Sequence, residues 1–162
     1  YDAPAAALAA EIRAQGGIGA LVRCLGADAS SDVRQFAASL LGNLLTDVFD
    51  VEAATTLGQF VAAGGLEAVL AHLAEGHPMD LYAAAALQNV TALDPDASCE
   101  QLRELGAAEK LTQLMGTADD ATRDFATGAL SNLRVNDPSP KEDGALEEAM
   151  RMRRLQDLVD AM

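Results

Sequence analysis

Three asparagines, Asn43, Asn89 and Asn132, recur at intervals of 46 and 43 residues (43 to 89, then 89 to 132). A side-chain amide carries both donors and an acceptor, so each can satisfy a peptide unit whatever the surrounding sequence. That is recognition by hydrogen bonding, not bond-making chemistry, and the rest of the chain supplies little of the latter. His72 and His77 are five residues apart, with no Cys or carboxylate arrangement to complete a metal set; both read as solvated or core histidines. The run Asp94-Pro95-Asp96-Ala97-Ser98-Cys99-Glu100 starts like a calcium loop. It has Cys99 where the sixth position needs Gly and Leu105 where the twelfth needs Glu, so it reads as a turn and helix cap. Cys24 and Cys99 are too few and too far apart for a disulfide framework, and Cys24 falls on an apolar helical face as a small core residue. Arg151, Arg153 and Arg154 form the only basic cluster, with Glu147, Glu148 and Asp157 close enough to make it an ordinary solvated face. There is no nucleophile-and-base set and no Gly-rich phosphate loop. No catalytic residue, cofactor or metal is expected.

Composition narrows the class of partner. The 162 residues carry a net charge of −14 spread along the chain, which argues against nucleic acid or an anionic membrane, since both need a basic face. A protein partner is expected, and the spread acidity mildly favours a basic one. Half of the residues are apolar but only 4% are aromatic, so the core must come from Ala, Leu and Val in closely packed helices. No apolar run approaches the roughly 18 residues of a membrane span. The first residue is Tyr1, which fits a processed product or an excised piece, cytoplasmic or imported into an organelle.

The elements that must position the asparagines repeat with them. Gly16-Gly17-Ile18-Gly19-Ala20-Leu21-Val22 leads to Leu40-Leu41-Gly42-Asn43-Leu44. Gly64-Gly65-Leu66-Glu67-Ala68-Val69-Leu70 leads to Ala86-Leu87-Gln88-Asn89-Val90, and Gly106-Ala107-Ala108-Glu109-Lys110-Leu111 to Ala129-Leu130-Ser131-Asn132-Leu133. A helical repeat of 42 to 48 residues (16 to 64, then 64 to 106) is the pattern of a solenoid, in which each unit buries its apolar face on its neighbours. Units of about 1–48, 49–94 and 95–136 each read as three helices. Leading helices are expected over 4–15, 51–63 and 97–105, with Asp50 and Asp96 as N-caps of the second and third. Middle helices follow the glycines, with Ile18, Leu21, Val22 and Leu25, then Leu66, Val69, Leu70 and Leu73, at the spacing of one buried face. Leu111, Leu114 and Met115 echo it. Gly26, Gly76 and Gly116 are expected to close these helices in the left-handed conformation. Third helices are expected over 32–47, 79–93 and 120–135. Asp137-Pro138-Ser139-Pro140 opens a linker over 137–144. Residues 145–162 then read as an amphipathic helix that caps the last unit or docks to a partner.

Seven residues before each asparagine stand Phe36, Tyr82 and Phe125, half of the six Phe and Tyr residues in the chain. At 100° per residue this position, and the one four before the asparagine, lie within about 40° of the Asn direction, so all three share one stripe. The rings either line an apolar groove suited to a helix or apolar segment, or fill space between successive units.

Gly-Gly, an apolar helix, a short loop and a helix ending in Leu-x-Asn-Leu together resemble the armadillo repeat, over about residues 5 to 136. The resemblance implies an all-α, right-handed superhelix whose third helices line a concave face. It also implies that Asn43, Asn89 and Asn132 hold the backbone of an extended peptide; each could instead satisfy local backbone groups within its own solenoid. Importin-like members usually carry Trp four residues before the Asn. Here those positions are Ser39, Ala85 and Gly128, and the chain has no Trp, so nuclear-localisation-signal peptides are not expected as ligands. The expected function is non-catalytic protein binding, as an adaptor holding a peptide or helix against Asn43, Asn89, Asn132 and the aromatic positions. The alternatives are a permanently docked subunit of a large assembly, such as an organellar membrane complex, and a fragment of a longer array.

Overall fold

The computed structural model describes residues 3–135, and every element among them is helical. The linker over 137–144, the helix over 145–162 and its arginine cluster lie outside the described residues. Nine helices run in three groups of three: α1 (Ala3–Ala14), α2 (Gly17–Cys24), α3 (Ser31–Leu44); α4 (Ala53–Ala62), α5 (Gly65–Leu70), α6 (Met79–Leu93); α7 (Ala97–Glu104), α8 (Ala107–Leu114), α9 (Asp120–Val135).

Each first-to-second helix joint turns on one glycine. Gly16, Gly64 and Gly106 hold φ of 70°, 76° and 73°, a left-handed conformation that costs any residue with a Cβ. The residue after it is set by what it packs on. A Cβ on Gly65 would stand 2.3 Å from the ring of Phe60, which is itself fully buried. In the third group the matching pair is Leu102 and Ala107, both fully buried; the smaller leucine leaves room for the methyl. Of the glycines expected to close middle helices only Gly76 is left-handed, and it stands well past the end of α5, which stops at Leu70 with Ala71 as its C-cap. Gly26 and Gly116 keep negative φ, because α2 and α8 end in tight turns in which their amides donate to Arg23 and Gln113 carbonyls three residues back.

The core is the apolar face read from the spacing. Ile18, Val22 and Leu25, Leu66, Val69, Leu70 and Leu73, and Leu111 and Leu114 are buried, with Leu21 and Met115 half-buried on the same cluster. Burying side chains of this size stabilises by about 1.5–3 kcal/mol each. The third helices lie side by side, α3 on α6 and α6 on α9, in the most extensive packing among the described residues. Ala83, Ala84 and Ala86 are buried at the centre of this row, where methyl-sized side chains let three helices approach closely.

Helix ends explain the remaining differences from expectation. α3 stops at Leu44, not residue 47, and Leu45 (φ −95°, ψ 29°) begins a turn into Asp50. Asp50 does not cap α4 directly. Its carboxylate accepts from the Glu52 amide at 2.9 Å and pairs with Arg13 of α1, whose guanidinium also donates to Thr56 Oγ1 (3.0 Å) and Glu52 (2.8 Å). The cap of α7 is Asp94, not Asp96. Asp94 reaches the amides of Ala97 and Ser98 at 3.2 and 3.1 Å and the Ser98 hydroxyl at 3.0 Å, while Asp96 makes no side-chain cap. Ser30 and Asp119 cap α3 and α9 through the Val33 and Thr122 amides.

Nine residues before each asparagine, a side chain ties down the loop preceding the third helix. Arg34 donates to the Ala29 carbonyl (2.9 Å) and Arg123 to the Ala118 carbonyl (2.8 Å). In the middle group the same position is Asp80, and there the polarity reverses: its carboxylate accepts from the Ala74 amide at 2.8 Å.

Candidate functional site

Where α3 and α6 run together they enclose an open depression of about 360 Å³. Ala38, Ser39, Gly42 and Asn43 form its α3 wall, Leu81, Tyr82, Ala85 and Asn89 its α6 wall, and Phe125 reaches in from α9. Thr46, Val48 and Phe49 close the end beyond α3. Six of the nine residues marked by the sequence therefore meet here: Asn43, Asn89, Tyr82, Phe125, Ser39 and Ala85. The other three, Phe36, Asn132 and Gly128, do not line it. Phe36 is 77% exposed on α3. A Cβ on Gly128 would lie 2.5 Å from the Gln88 amide nitrogen, so this glycine serves the close approach of α9 to α6.

Val48 and Phe49 went unmarked by spacing because they stand after α3, outside any helical period. Their signal is an apolar pair between Asp47 and Asp50 in a loop, where polar residues are usual. Both are exposed, at 62% and 41%. With Tyr82 and Phe125 half-buried against the core, the lining is mostly apolar and carries few polar groups.

The three asparagines are not equivalent. Asn89 Nδ2 donates to the Gly42 carbonyl at 2.9 Å, and Asn132 Nδ2 to Thr91 Oγ1 at 3.1 Å. The Thr91 hydroxyl in turn donates to the Gln88 carbonyl at 2.9 Å. Gly42 and Gln88 each precede an asparagine, so both contacts tie a third helix to the same point of the one before it, directly or through a hydroxyl. Asn43 is exposed and its amide makes no hydrogen bond among the described residues. We therefore expect Asn89→Ala to cost about 1 kcal/mol, the net worth of one such bond, and Asn43→Ala to change stability by less than about 0.5 kcal/mol. Urea denaturation of the two variants measures the difference, and equal losses would refute the assignment.

Titratable groups elsewhere are accounted for by structure. His72 is buried, with Nε2 donating to the Leu25 carbonyl (2.8 Å) on the preceding group and Nδ1 3.0 Å from Glu75; His77 is exposed. Lys110 spans the next boundary, donating to the Leu70 carbonyl at 3.2 Å. Cys99 is fully buried, and burial pushes its thiol pKa up, away from nucleophilic use. At Asp119 the Thr122 amide, with smaller help from the Thr122 hydroxyl, holds the carboxyl below its ordinary value. No three His, Cys, Asp or Glu side chains among the described residues converge to hold a metal ion. No helix among them is long and apolar enough to cross a membrane.

No protein-family model matches this sequence, and no curated protein is similar to it. Among solved structures, the chain is similar to the crystal structure of an engineered protein, a Northeast Structural Genomics Consortium target. The two are 26% identical with a TM-score of 0.68 over 79% of this chain and 49% of the other, so the chain spans about half that protein's length. The all-α class rests on the helices and on this likeness together.

Proposed function

We propose that the chain is an armadillo-like right-handed solenoid of three repeats that serves as a non-catalytic binding module for another protein. The depression between α3 and α6 takes an apolar anchor from a partner's helix or short segment. The observation that carries this reading is the meeting of Asn43, Tyr82, Ala85 and Phe125, drawn from all three sequence units, around one mostly apolar hollow with an uncommitted amide at its edge. An apolar pocket with a few oriented polar groups is the usual form of such sites. Asn43 is the natural clamp for a partner's backbone, because its amide alone of the three is uncommitted among the described residues.

A second reading, a subunit held permanently in a larger assembly, draws on a different surface. Between α4 and α7 lies a depression of about 520 Å³ lined by Leu57, Val61, Leu93 and Gln101, on the side of the leading helices.

Selection of displayed peptides against the wild-type chain, with Ala85→Arg as competitor, separates the two. Ala85 is half-buried in the wall of the α3–α6 hollow, so an arginine there fills it without touching the core. The expected binders are apolar, helix-forming peptides whose affinity falls at least about tenfold for the variant, the equivalent of one lost anchor contact. Binders indifferent to Ala85→Arg would shift the function to the α4–α7 side.

A further inference from the structure

The third helices show one face bare that is covered twice elsewhere. In asparagine register, Val33, Phe36 and Leu40 of α3 correspond to Met79, Tyr82 and Ala86 of α6 and to Thr122, Phe125 and Ala129 of α9. On α6, Met79 and Ala86 are 4% and 1% exposed and Tyr82 is half-buried; on α9, Thr122 and Ala129 are 1% and 0% exposed and Phe125 is half-buried. On α3 the same three positions are 44%, 77% and 36% exposed. Spaced i, i+3, i+7, they form one apolar stripe along the helix. The uncommitted Asn43 amide belongs to the same pattern. Its counterparts Asn89 and Asn132 each cross to the preceding third helix, and α3 has none before it among the described residues.

At the other end the reverse holds. Gly42 of α3 with Leu45 just past its end, and Gln88 and Thr91 of α6, form the surface on which the next third helix sits; Leu45 and Thr91 are 0% and 1% exposed. Their counterparts on α9, Ser131 and Arg134, are exposed. Among the described residues the chain thus carries an exposed knob on α3 and an exposed seat of the same register on α9.

We propose that the chain associates with itself head to tail, α3 of one copy stacking on α9 of the next as α6 stacks on α3 and α9 on α6. The interface continues one already present twice within the chain. Phe36 enters beside α9, and Asn43 gains a carbonyl or hydroxyl partner near Ser131. Arg134 comes to lie at the Asn43 end of the incoming helix, where Asp47 is exposed. At the opposite end Asp32 approaches Asp120 and Asp124, all exposed, and each copy carries −14 overall. Association therefore strengthens as added salt screens this repulsion. The contact is heterologous, with one unsatisfied end always left, so it yields linear oligomers rather than a closed dimer.

The test is sedimentation equilibrium of the full chain over about 1 μM to 1 mM, in low and moderate salt, with two variants checked by circular dichroism. Phe36→Asp spoils the knob at an exposed position, and Ser131→Glu with Arg134→Glu spoils the seat. We expect wild type to show concentration-dependent growth beyond dimer, and each variant alone to associate roughly thirtyfold more weakly, as on loss of a central aromatic anchor. Mixing the two variants should restore a one-to-one dimer through the intact knob of one and the intact seat of the other. A wild type that stays monomeric across the range overturns the proposal. So does a seat variant that still dimerises while Phe36→Asp does not, because two knobs would then be meeting each other. A mixture that fails to form the dimer overturns it as well. Self-association would commit the Asn43 amide at the edge of the α3–α6 hollow, while the apolar part of the hollow is probed separately by Ala85→Arg.

Discussion

Arg13→Met will destabilise the fold by about 3 kcal/mol, at the lower end of what breaking a buried ion pair costs by removing one partner. The arginine and Asp50 side chains are 6% and 3% exposed, so the variant leaves a carboxylate with almost no solvent. The Glu52 amide still donates to it, which keeps the loss from the upper end of the range. For a chain of this size the loss corresponds to a drop in Tm of roughly 6–12 °C. The pH dependence carries the more specific signature. In the wild type, burial raises the Asp50 pKa, and the Arg13 hydrogen bond, the Glu52 amide and the Arg13 charge together more than offset it, leaving it below the ordinary carboxylate value. A group with a depressed folded-state pKa contributes stability that is full above its unfolded value and is lost as pH falls through the folded one. Without Arg13 the burial remains and the main offset is gone, so the sign inverts and the variant should lose less stability, or gain some, on acidification over the same range. Arg13→Met with Asp50→Leu should recover most of the loss, since both charges leave together. Urea denaturation from neutral to acidic pH measures all of this. A single variant within about 0.5 kcal/mol of wild type would mean that the cluster is solvated, and its energetic role would be withdrawn.

The second large effect lies in packing. Gly65→Ala puts a methyl group 2.3 Å from a fully buried ring and should cost about 1–3 kcal/mol, the range for overpacked cores. Shrinking the ring should relieve it. Phe60→Leu alone opens a cavity and costs stability, yet together with Gly65→Ala it recreates the Leu102 and Ala107 pair of the third group. The double variant should therefore be more stable than the sum of the two losses by at least about 1 kcal/mol, a coupling typical of residues in contact. Simple additivity in a double-mutant cycle would show that the Gly65 backbone, and not the ring, decides the residue there.

How far the molecule could be read from its residues depends on the range of the forces involved. The helices and their buried stripes follow from the spacing of Leu, Val and Ile, because amphipathic periodicity is local and strong. The joints at Gly16, Gly64 and Gly106 follow from recurrence. Asp50 was out of reach: as a helix cap it needs only its neighbours, but its actual partner, Arg13, is 37 residues away and no local pattern points to it. Asp94 took the place expected of Asp96 because two candidate caps two residues apart differ only in backbone course. Around the hollow, the stripe of Asn, aromatic and small positions was visible as a repeat, while Val48 and Phe49 were hidden in a loop without period. The asparagines look identical as letters. Their differences arise from what lies on the preceding helix: a bare carbonyl at Gly42, a hydroxyl at Thr91, and no third helix before α3 among the described residues.

The loop ties before the third helices bear on how interchangeable the three groups are. Arg34 and Arg123 each supply a donor to a carbonyl, so grafting the loop and helix start of one onto the other conserves the bond. Asp80 supplies an acceptor to an amide, and the loop it holds has Ala74 at φ 79°. A chimaera carrying Arg at 80 on the native loop sets donor against donor and strands the Ala74 amide; one carrying Asp at 34 sets carboxylate against carbonyl. A majority-rule consensus of the three groups would write arginine at this site everywhere and break the middle one. The unit of exchange is the loop together with its tether, and an idealised array built from this chain has to copy them as a pair.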